Sequence, residues 1–211
     1  LAGELGAGIT RATELLDAKQ RGWATTLIAG IGICGAILAV AVGSTTHWRT
    51  AYWIGGAMCL FLLALRVGVA ESGIFQRTAE TTVSRGNFLA LFTNGTRALR
   101  YVAVVLVGTP IWYAIGICVL MSPEIGAALG IDPAPARPTA ILIAYIGLAL
   151  GDFGSGVLSQ LTTSRKRALV VFLVLNAVAV ALYFTVARTA TMVYATIFLL
   201  GIANGYWAVF V

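Results

Sequence analysis

Apolar residues come in long runs along this chain, and the short segments between them hold most of the charge. The runs fall near 23–43, 51–70, 101–121, 139–161 and 168–187. Another begins near 191 and continues to the last residue, and residues 1–12 look like the end of one more. A helix needs roughly 20 apolar residues to cross a hydrocarbon core of about 30 Å. Barrel strands are about half that length and alternate in polarity, so the pattern predicts helices. The expected fold is an all-α membrane protein with five full spans and two cut ones. The chain opens at Leu1 inside an apolar stretch and closes at Val211 inside another, so it reads as an internal piece of a longer protein. It shows no secretory leader of basic start, short apolar run and small-residue cleavage site.

The loops then orient the spans. Of the 14 Lys and Arg residues, one set of alternate loops holds Arg11, Lys19, Arg21, Arg66, Arg77, Arg85, Arg97, Arg100, Arg165, Lys166 and Arg167. The other set holds Arg49, Arg137 and Arg188. Positive charge concentrates on the cytoplasmic side. Loops 13–22, 71–100 and 162–167 are therefore expected inside, and loops 44–50, 122–138 and 188–190 outside. In the longest inner loop, Phe88, Leu89, Leu91 and Phe92 make an apolar patch between Arg85 and Arg97, which suggests a helix lying in the interface. Asn94-Gly95-Thr96 matches a glycosylation sequon but would be unused on that side. The outer loop 122–138 carries Pro123, Pro133, Pro135 and Pro138 and reads as a stiff, turn-rich connector.

Composition narrows the function. The chain is 59% apolar and 10% charged, with a mean hydropathy of +0.92. A soluble domain is about half apolar and a quarter charged, so a cytosolic enzyme, a disordered tail and a nucleic-acid module are excluded. The net charge of +6 belongs to the inner loops rather than to an acidic partner. Cys34, Cys59 and Cys118 each lie within an apolar run, too few and scattered for a disulfide framework or a zinc site. His47 is the single histidine and sits in a short loop. A membrane-embedded enzyme needs nucleophile, base or metal ligands gathered at one depth, and none are. No catalytic residue, metal or cofactor is expected.

Charged groups inside spans are costly and are functional candidates by default. Asp152, in Gly151-Asp152-Phe153-Gly154-Ser155-Gly156, lies nine residues from the cytoplasmic end of its span, about 13 Å of helix. Tyr145, Asp152, Ser155 and Ser159 share one helical face, which should meet a water-filled cavity or another helix. Glu4, in Gly3-Glu4-Leu5-Gly6, is the second case, with Arg11 on the same face. A carboxyl group at such depth can carry a proton through a transport cycle, or it can simply pair with an arginine elsewhere. Thr109, Pro110, Trp112 and Tyr113 interrupt the span 101–121, and Pro110 would free a backbone carbonyl. Asn204, Tyr206 and Trp207 occupy the last span. Thr109, Trp112, Tyr113, Tyr145, Ser155, Asn204 and Trp207 are candidate cavity residues, although aromatic side chains also serve simple packing. The span 168–187 has Asn176 as its one mid-span polar residue and reads as a lipid-facing outer helix, as does 51–70. Gly30, Gly32 and Gly35, and Gly151, Gly154 and Gly156, would let helices approach closely.

Several stretches are similar to one transporter family. Glu14-Leu15-Leu16-Asp17-Ala18-Lys19-Gln20-Arg21-Gly22 resembles the E-x-x-P-x-x-x-R-G loop between helices four and five of sugar porters and metabolite:proton symporters of the major facilitator superfamily, with Asp17 where proline is usual. Trp48-Arg49-Thr50-Ala51-Tyr52 resembles the start of helix six, and Val69-Ala70-Glu71-Ser72-Gly73 the acidic motif closing it. Gly156-Val157-Leu158-Ser159-Gln160 through Ser164-Arg165-Lys166-Arg167 resembles the second copy of the signature loop, between helices eight and nine. There Gln160 replaces the usual acid and one residue is inserted.

The resemblance implies an incomplete major facilitator-type bundle, about six or seven of twelve helices, from the end of helix four to helix ten. Residues 1–70 would close the first six-helix half, 71–100 would be the cytoplasmic linker, and 101–211 would open the second half. It implies a midplane cavity and alternating access, with Glu14, Arg21, Glu71, Arg165 and Lys166 as cytoplasmic gate residues. The expected function is secondary transport of a small polar metabolite (a sugar, organic acid or osmolyte), coupled to protons, by a monomer in the bilayer of a bacterial inner membrane, with no nucleic-acid partner. Efflux of a drug-like compound is the alternative within the fold, and the efflux signature G-x-x-x-G-P-x-x-G-G is absent around Gly30–Gly35. A non-transporting scaffold or receptor is the alternative outside it.

Overall fold

The structure, a computed structural model, describes residues 8, 16, 18–67 and 88–210; for residues 18–23, 26, 29, 66 and 67 it describes the backbone alone. Regular structure among these residues is helical throughout. α1 spans Ala18–Thr45 and α2 spans Trp48–Val67. After one 3-10 turn at Phe88–Leu91, α3 spans Gly95–Tyr113 and passes directly into a π-helical turn, Ala114–Val119. A short α4, Ser122–Ala128, precedes α5, Arg137–Leu161, and α6, Arg165–Thr185. α7 spans Ala190–Asn204, and α8 is a single turn, Trp207–Phe210. Among the described residues, five stretches are long and apolar enough to cross a membrane: Trp48–Leu65, Gly95–Val119, Arg137–Leu161, Arg165–Thr185 and Ala190–Phe210. The protein is an all-α, multi-pass membrane protein, as the runs of apolar residues predict.

Local chemistry starts the helices where they start. The side chains of Asn94, Ser164 and Thr189 accept from the backbone N–H groups of Thr96, Arg167 and Met192 at 3.0, 3.4 and 3.3 Å. Each satisfies one of the donors that a helix N-terminus leaves without a partner. Pro138 and Pro123 stand in the first turns of α5 and α4, where a missing N–H costs nothing.

α5 lies at the centre and packs on α7, α1 and α6. Its buried face runs Ala140, Ala144, Gly147, Leu148, Gly151, Asp152 and Ser155, at the spacing of one helical stripe. One apolar cluster joins Ala140 and Ala144 to Ala179 and Tyr183 of α6 and to Val193, Ile197 and Leu200 of α7. A second joins Ile111 of α3 to Phe172 and Tyr206. α1 leans on α5 where Gly30 faces the Phe153 ring; a Cβ there would lie 2.9 Å from that ring. α1 and α2 diverge around an apolar wedge of about 1340 Å³ lined by Leu38, Val42, Tyr52, Met58 and Leu62.

Several sequence expectations need correction. α1 begins at Ala18, inside the segment 13–22 expected as a loop, and continues to Thr45. The patch at Phe88–Leu91 makes one 3-10 turn rather than an interfacial helix, and α3 already begins at Gly95. Asn94 caps α3, so the Asn-Gly-Thr sequence is a helix start. Phe88, Phe92 and Tyr101 meet edge to face across that start. The outer connector is not merely turns, since α4 lies inside it. Gly130 then turns the chain at φ +71°, a conformation that favours glycine. α6 is not simply an outer helix, because Ala168, Phe172, Asn176, Ala179 and Tyr183 form a buried stripe. Of the expected close approaches, Gly32 and Gly35 have nothing within 4 Å of an added Cβ. The cut helix at 1–12 and most of the linker 71–100 lie outside the described residues.

An ion pair between Arg137 and Glu124 closes the α4–α5 connector. A bond from its own backbone amide, and then the Arg137 guanidinium, hold the Glu124 carboxyl below its ordinary range. A lowered folded-state pKa gives stability that is present above the ordinary carboxylate range and lost as pH falls through the lowered value. Glu124→Gln should therefore cause a small loss of thermal stability at neutral pH that disappears in acid. Melting curves of the two proteins across pH check this.

Candidate functional site

The last apolar run is a broken helix. α7 ends at Asn204, Gly205 and Tyr206 form a turn, and α8 resumes at Trp207. A break at membrane depth exposes backbone groups that no water is there to satisfy, so protein groups must do it. α5 supplies them. The Ser155 hydroxyl donates to the Gly205 carbonyl, and its Oγ also lies 3.1 Å from the Asp152 carbonyl oxygen of its own helix. The Ala208 N–H donates to Asp152 Oδ1 at 3.3 Å. One face of α5 thus spans the gap between α7 and α8.

Glycines make this contact possible. Gly147 and Gly151 on α5 face Gly201 and Gly205 on the other chain segment, and each pair has the four-residue spacing that lets helix backbones touch. A Cβ at Gly147 would lie 2.5 Å from the Phe198 carbonyl oxygen, and one at Gly151 2.2 Å from that of Ile202. At Gly201 it would lie 2.3 Å from the Ala144 oxygen, and at Gly205 2.0 Å from the Gly151 carbonyl carbon.

Asp152 has no exposed surface, and its Oδ2 has no hydrogen-bond partner among the described residues. The ion pair found among the described residues is the distant Arg137–Glu124 pair. Between α6 and α7, Asn176 donates through Nδ2 to Asn204 Oδ1 at 2.6 Å, and both side chains are buried. Asp152 lies nine residues from the Leu161 end of α5 and Asn176 eleven from the Arg165 end of α6, about 13 and 16 Å of helix. By this count Asp152 and Asn176 lie well inside their helices, and the buried polar side chains Asp152, Ser155, Asn176 and Asn204 are distributed over α5, α6 and α7.

Of the residues singled out from the sequence, the structure brings together Asp152, Ser155 and Asn204. Asp152 and Ser155 face another helix rather than open water. Trp207 is half-buried, with its ring 5.9 Å from that of Phe210. Tyr145 is half-buried two turns along α5. Thr109 bonds to its own helix, donating to the Val105 carbonyl at 3.0 Å. Trp112 is 67% exposed and Tyr113 is exposed beside it, so the α3 residues stand apart from these buried polar residues. Arg165 lines a small cleft with Thr25, Ser159 and Gln160, next to Ala208 and Val209, and Lys166 is exposed. Glu4, Glu14 and Glu71 lie outside the described residues, as does the side chain of Arg21.

Sequence reading passed over Asn176 and the crossing glycines Gly147, Gly201 and Gly205. Signals for both were present: a lone amide in an apolar span, and two four-residue glycine spacings. Removing the Asn176 amide leaves Asn204 short of its partner. Asn176→Ala should cost about 0.6–2 kcal/mol, the range for hydrogen bonds between membrane helices. A double-mutant cycle with Asn204→Ala, read by thermal unfolding in detergent, should show coupling of the same size.

A protein of Cupriavidus pinatubonensis, a probable 4-methylmuconolactone transporter, is 27% identical to this chain over 115 residues. The match covers 50% of the chain and 27% of that protein, so the chain spans little more than a quarter of the relative. No protein-family profile matches the chain, and no solved structure matches it. With five helices able to cross a membrane and this likeness, the chain is an integral membrane protein similar to a membrane transporter.

Proposed function

We propose that the chain is part of a proton-coupled secondary transporter of the major facilitator type, which moves a small polar metabolite by alternating access. The observation that carries this reading is Asp152, a fully buried carboxyl group at the break of α7–α8. One of its oxygens is held by a backbone N–H, and the other has no hydrogen-bond partner among the described residues and can take a proton. A charge at membrane depth persists where function needs it. Broken helices near the midplane are where transporters of this kind bind ions and substrates. The loop motifs around Arg21 and Arg165 and the likeness to a transporter support the same reading.

On this reading Asp152 carries the coupling proton, with Glu4 as a second carboxyl group. Thr109, Trp112, Tyr113, Tyr145, Ser155, Asn204 and Trp207 are the substrate-cavity residues. Glu14, Arg21, Glu71, Arg165 and Lys166 form the cytoplasmic gate. The substrate is a sugar, organic acid or osmolyte, and the membrane is the bacterial inner membrane.

The full-length protein in proteoliposomes tests this against a panel of labelled sugars and organic acids. A transporter accumulates one of them under an imposed pH gradient and shows counterflow without one. Binding with neither accumulation nor counterflow would replace transport by a receptor or scaffold role.

A further inference from the structure

α3 is held to the bundle in an unusual way. Its first twelve residues, 95–106, are largely exposed, whereas Ile111, Ala114, Cys118 and Val119 are buried. Between these two parts the helix is irregular. Pro110 lacks the N–H that would bond the Leu106 carbonyl, and Ala114–Val119 is wound as a π-helix. Two fully buried tyrosines grip the backbone of this region, one just before Pro110 and one inside the π-turn. The Tyr206 hydroxyl, in the turn between α7 and α8, donates to the Val107 carbonyl at 2.8 Å. The Tyr183 hydroxyl of α6 donates to the Cys118 carbonyl at 2.9 Å. Both bonds reach main-chain atoms, so they fix where α3 runs, whatever its side chains are.

We infer that Tyr206 and Tyr183 are positioning residues that bracket a hinge in α3, with Tyr206 the last anchor before the exposed cytoplasmic half. Trp112 and Tyr113 sit between the two anchors, so the tyrosines set the place of the α3 wall that carries them. The π-turn and Pro110 supply the compliance, since each leaves the ladder short of a regular bond. Tyr206 also belongs to the turn that Asp152 and Ser155 hold. A change at Asp152 therefore reaches α3 through one residue. This inference deepens the transport reading and rests on it for its meaning, but its test does not need transport to be measured.

The test uses the full-length protein in a cysteine-free background with two spin-label pairs. Leu99→Cys with Leu161→Cys reports the cytoplasmic half of α3 against α5. Met121→Cys with Met192→Cys reports its outer end against α7. All four positions are exposed. Tyr206→Phe, which removes one oxygen, should add a longer-distance population to the first pair and leave the second unchanged. Tyr183→Phe should broaden the second pair and leave the first unchanged. If Tyr206→Phe leaves the cytoplasmic distance distribution as in wild type, the anchor assignment is wrong. If both variants broaden both pairs equally, the tyrosines only stabilise the bundle and the hinge is refuted. Where transport is measurable, Tyr206→Phe should alter turnover several-fold more than substrate KM, a split that a general loss of stability does not give. Absence of transport with the expected distance changes would remove the transport reading and leave the hinge standing.

Discussion

Alanine at Gly205 is expected to melt the protein far below the wild type. The added Cβ would sit 2.0 Å from the Gly151 carbonyl carbon and 2.4 Å from the Asp152 amide nitrogen. Both are backbone atoms of the central helix, so no side chain can swing away. The two segments must separate, and the bonds from Ser155 to Gly205 and from Ala208 to Asp152 go with them. Overpacking of a well-packed core costs about 1–3 kcal/mol, and here the loss of two buried hydrogen bonds adds to it. Gly151→Ala should do the same, because its Cβ would meet the Ile202 carbonyl oxygen at 2.2 Å. Gly32→Ala and Gly35→Ala are the controls. Their Cβ atoms meet nothing within 4 Å, and alanine in a helix interior is favoured over glycine by roughly 0.5–1 kcal/mol. Those two variants should match or exceed the wild-type melting temperature. Heating followed by size-exclusion chromatography ranks all four. A Gly205→Ala protein that melts with the wild type would mean that the α5–α7 crossing leaves room for a methyl group.

The contrast among these glycines shows what a sequence carries and what it withholds. Hydrophobic run length gives the helices, because any segment crossing lipid must be long, apolar and internally hydrogen-bonded. Asp152 and Ser155 are legible for the same reason, since polar groups are conspicuous in such a run. A glycine is not self-explanatory. Gly32 and Gly151 look alike along the chain, and only the partner helix distinguishes open space from a backbone contact. Asn176 is misjudged on the same ground: a single amide in α6 has no visible purpose until Asn204, 28 residues away, is placed opposite it. The break after Asn204 leaves little trace beyond Gly205, because α7 and α8 read as one apolar run. Pro110 marks an interruption in its span, but nothing in the sequence shows that it takes the form of a π-turn at Ala114–Val119. The second large effect expected is therefore at a residue that the sequence exposed but could not explain.

Asparagine at Asp152 should leave the fold in place and remove proton coupling. The side chain keeps its shape, and its carbonyl oxygen can still accept from the Ala208 N–H. The amide nitrogen takes the place of Oδ2, which has no partner to lose among the described residues. Substrate movement that needs only the swing of the helices can continue, whereas movement that needs a proton to be picked up and released cannot. Stability should stay close to wild type, in contrast to Gly205→Ala. Loss of activity could therefore not be attributed to misfolding.

The decisive measurement is transport by the full-length protein and its Asp152→Asn variant in proteoliposomes, using the substrate found by the panel, with and without an imposed pH gradient. Accumulation driven by the gradient should fall in the variant to the level seen without a gradient, while counterflow persists. Gradient-driven accumulation equal to wild type would show that Asp152 does not carry the proton, and the buried polar residues of α5, α6 and α7 would then be structural.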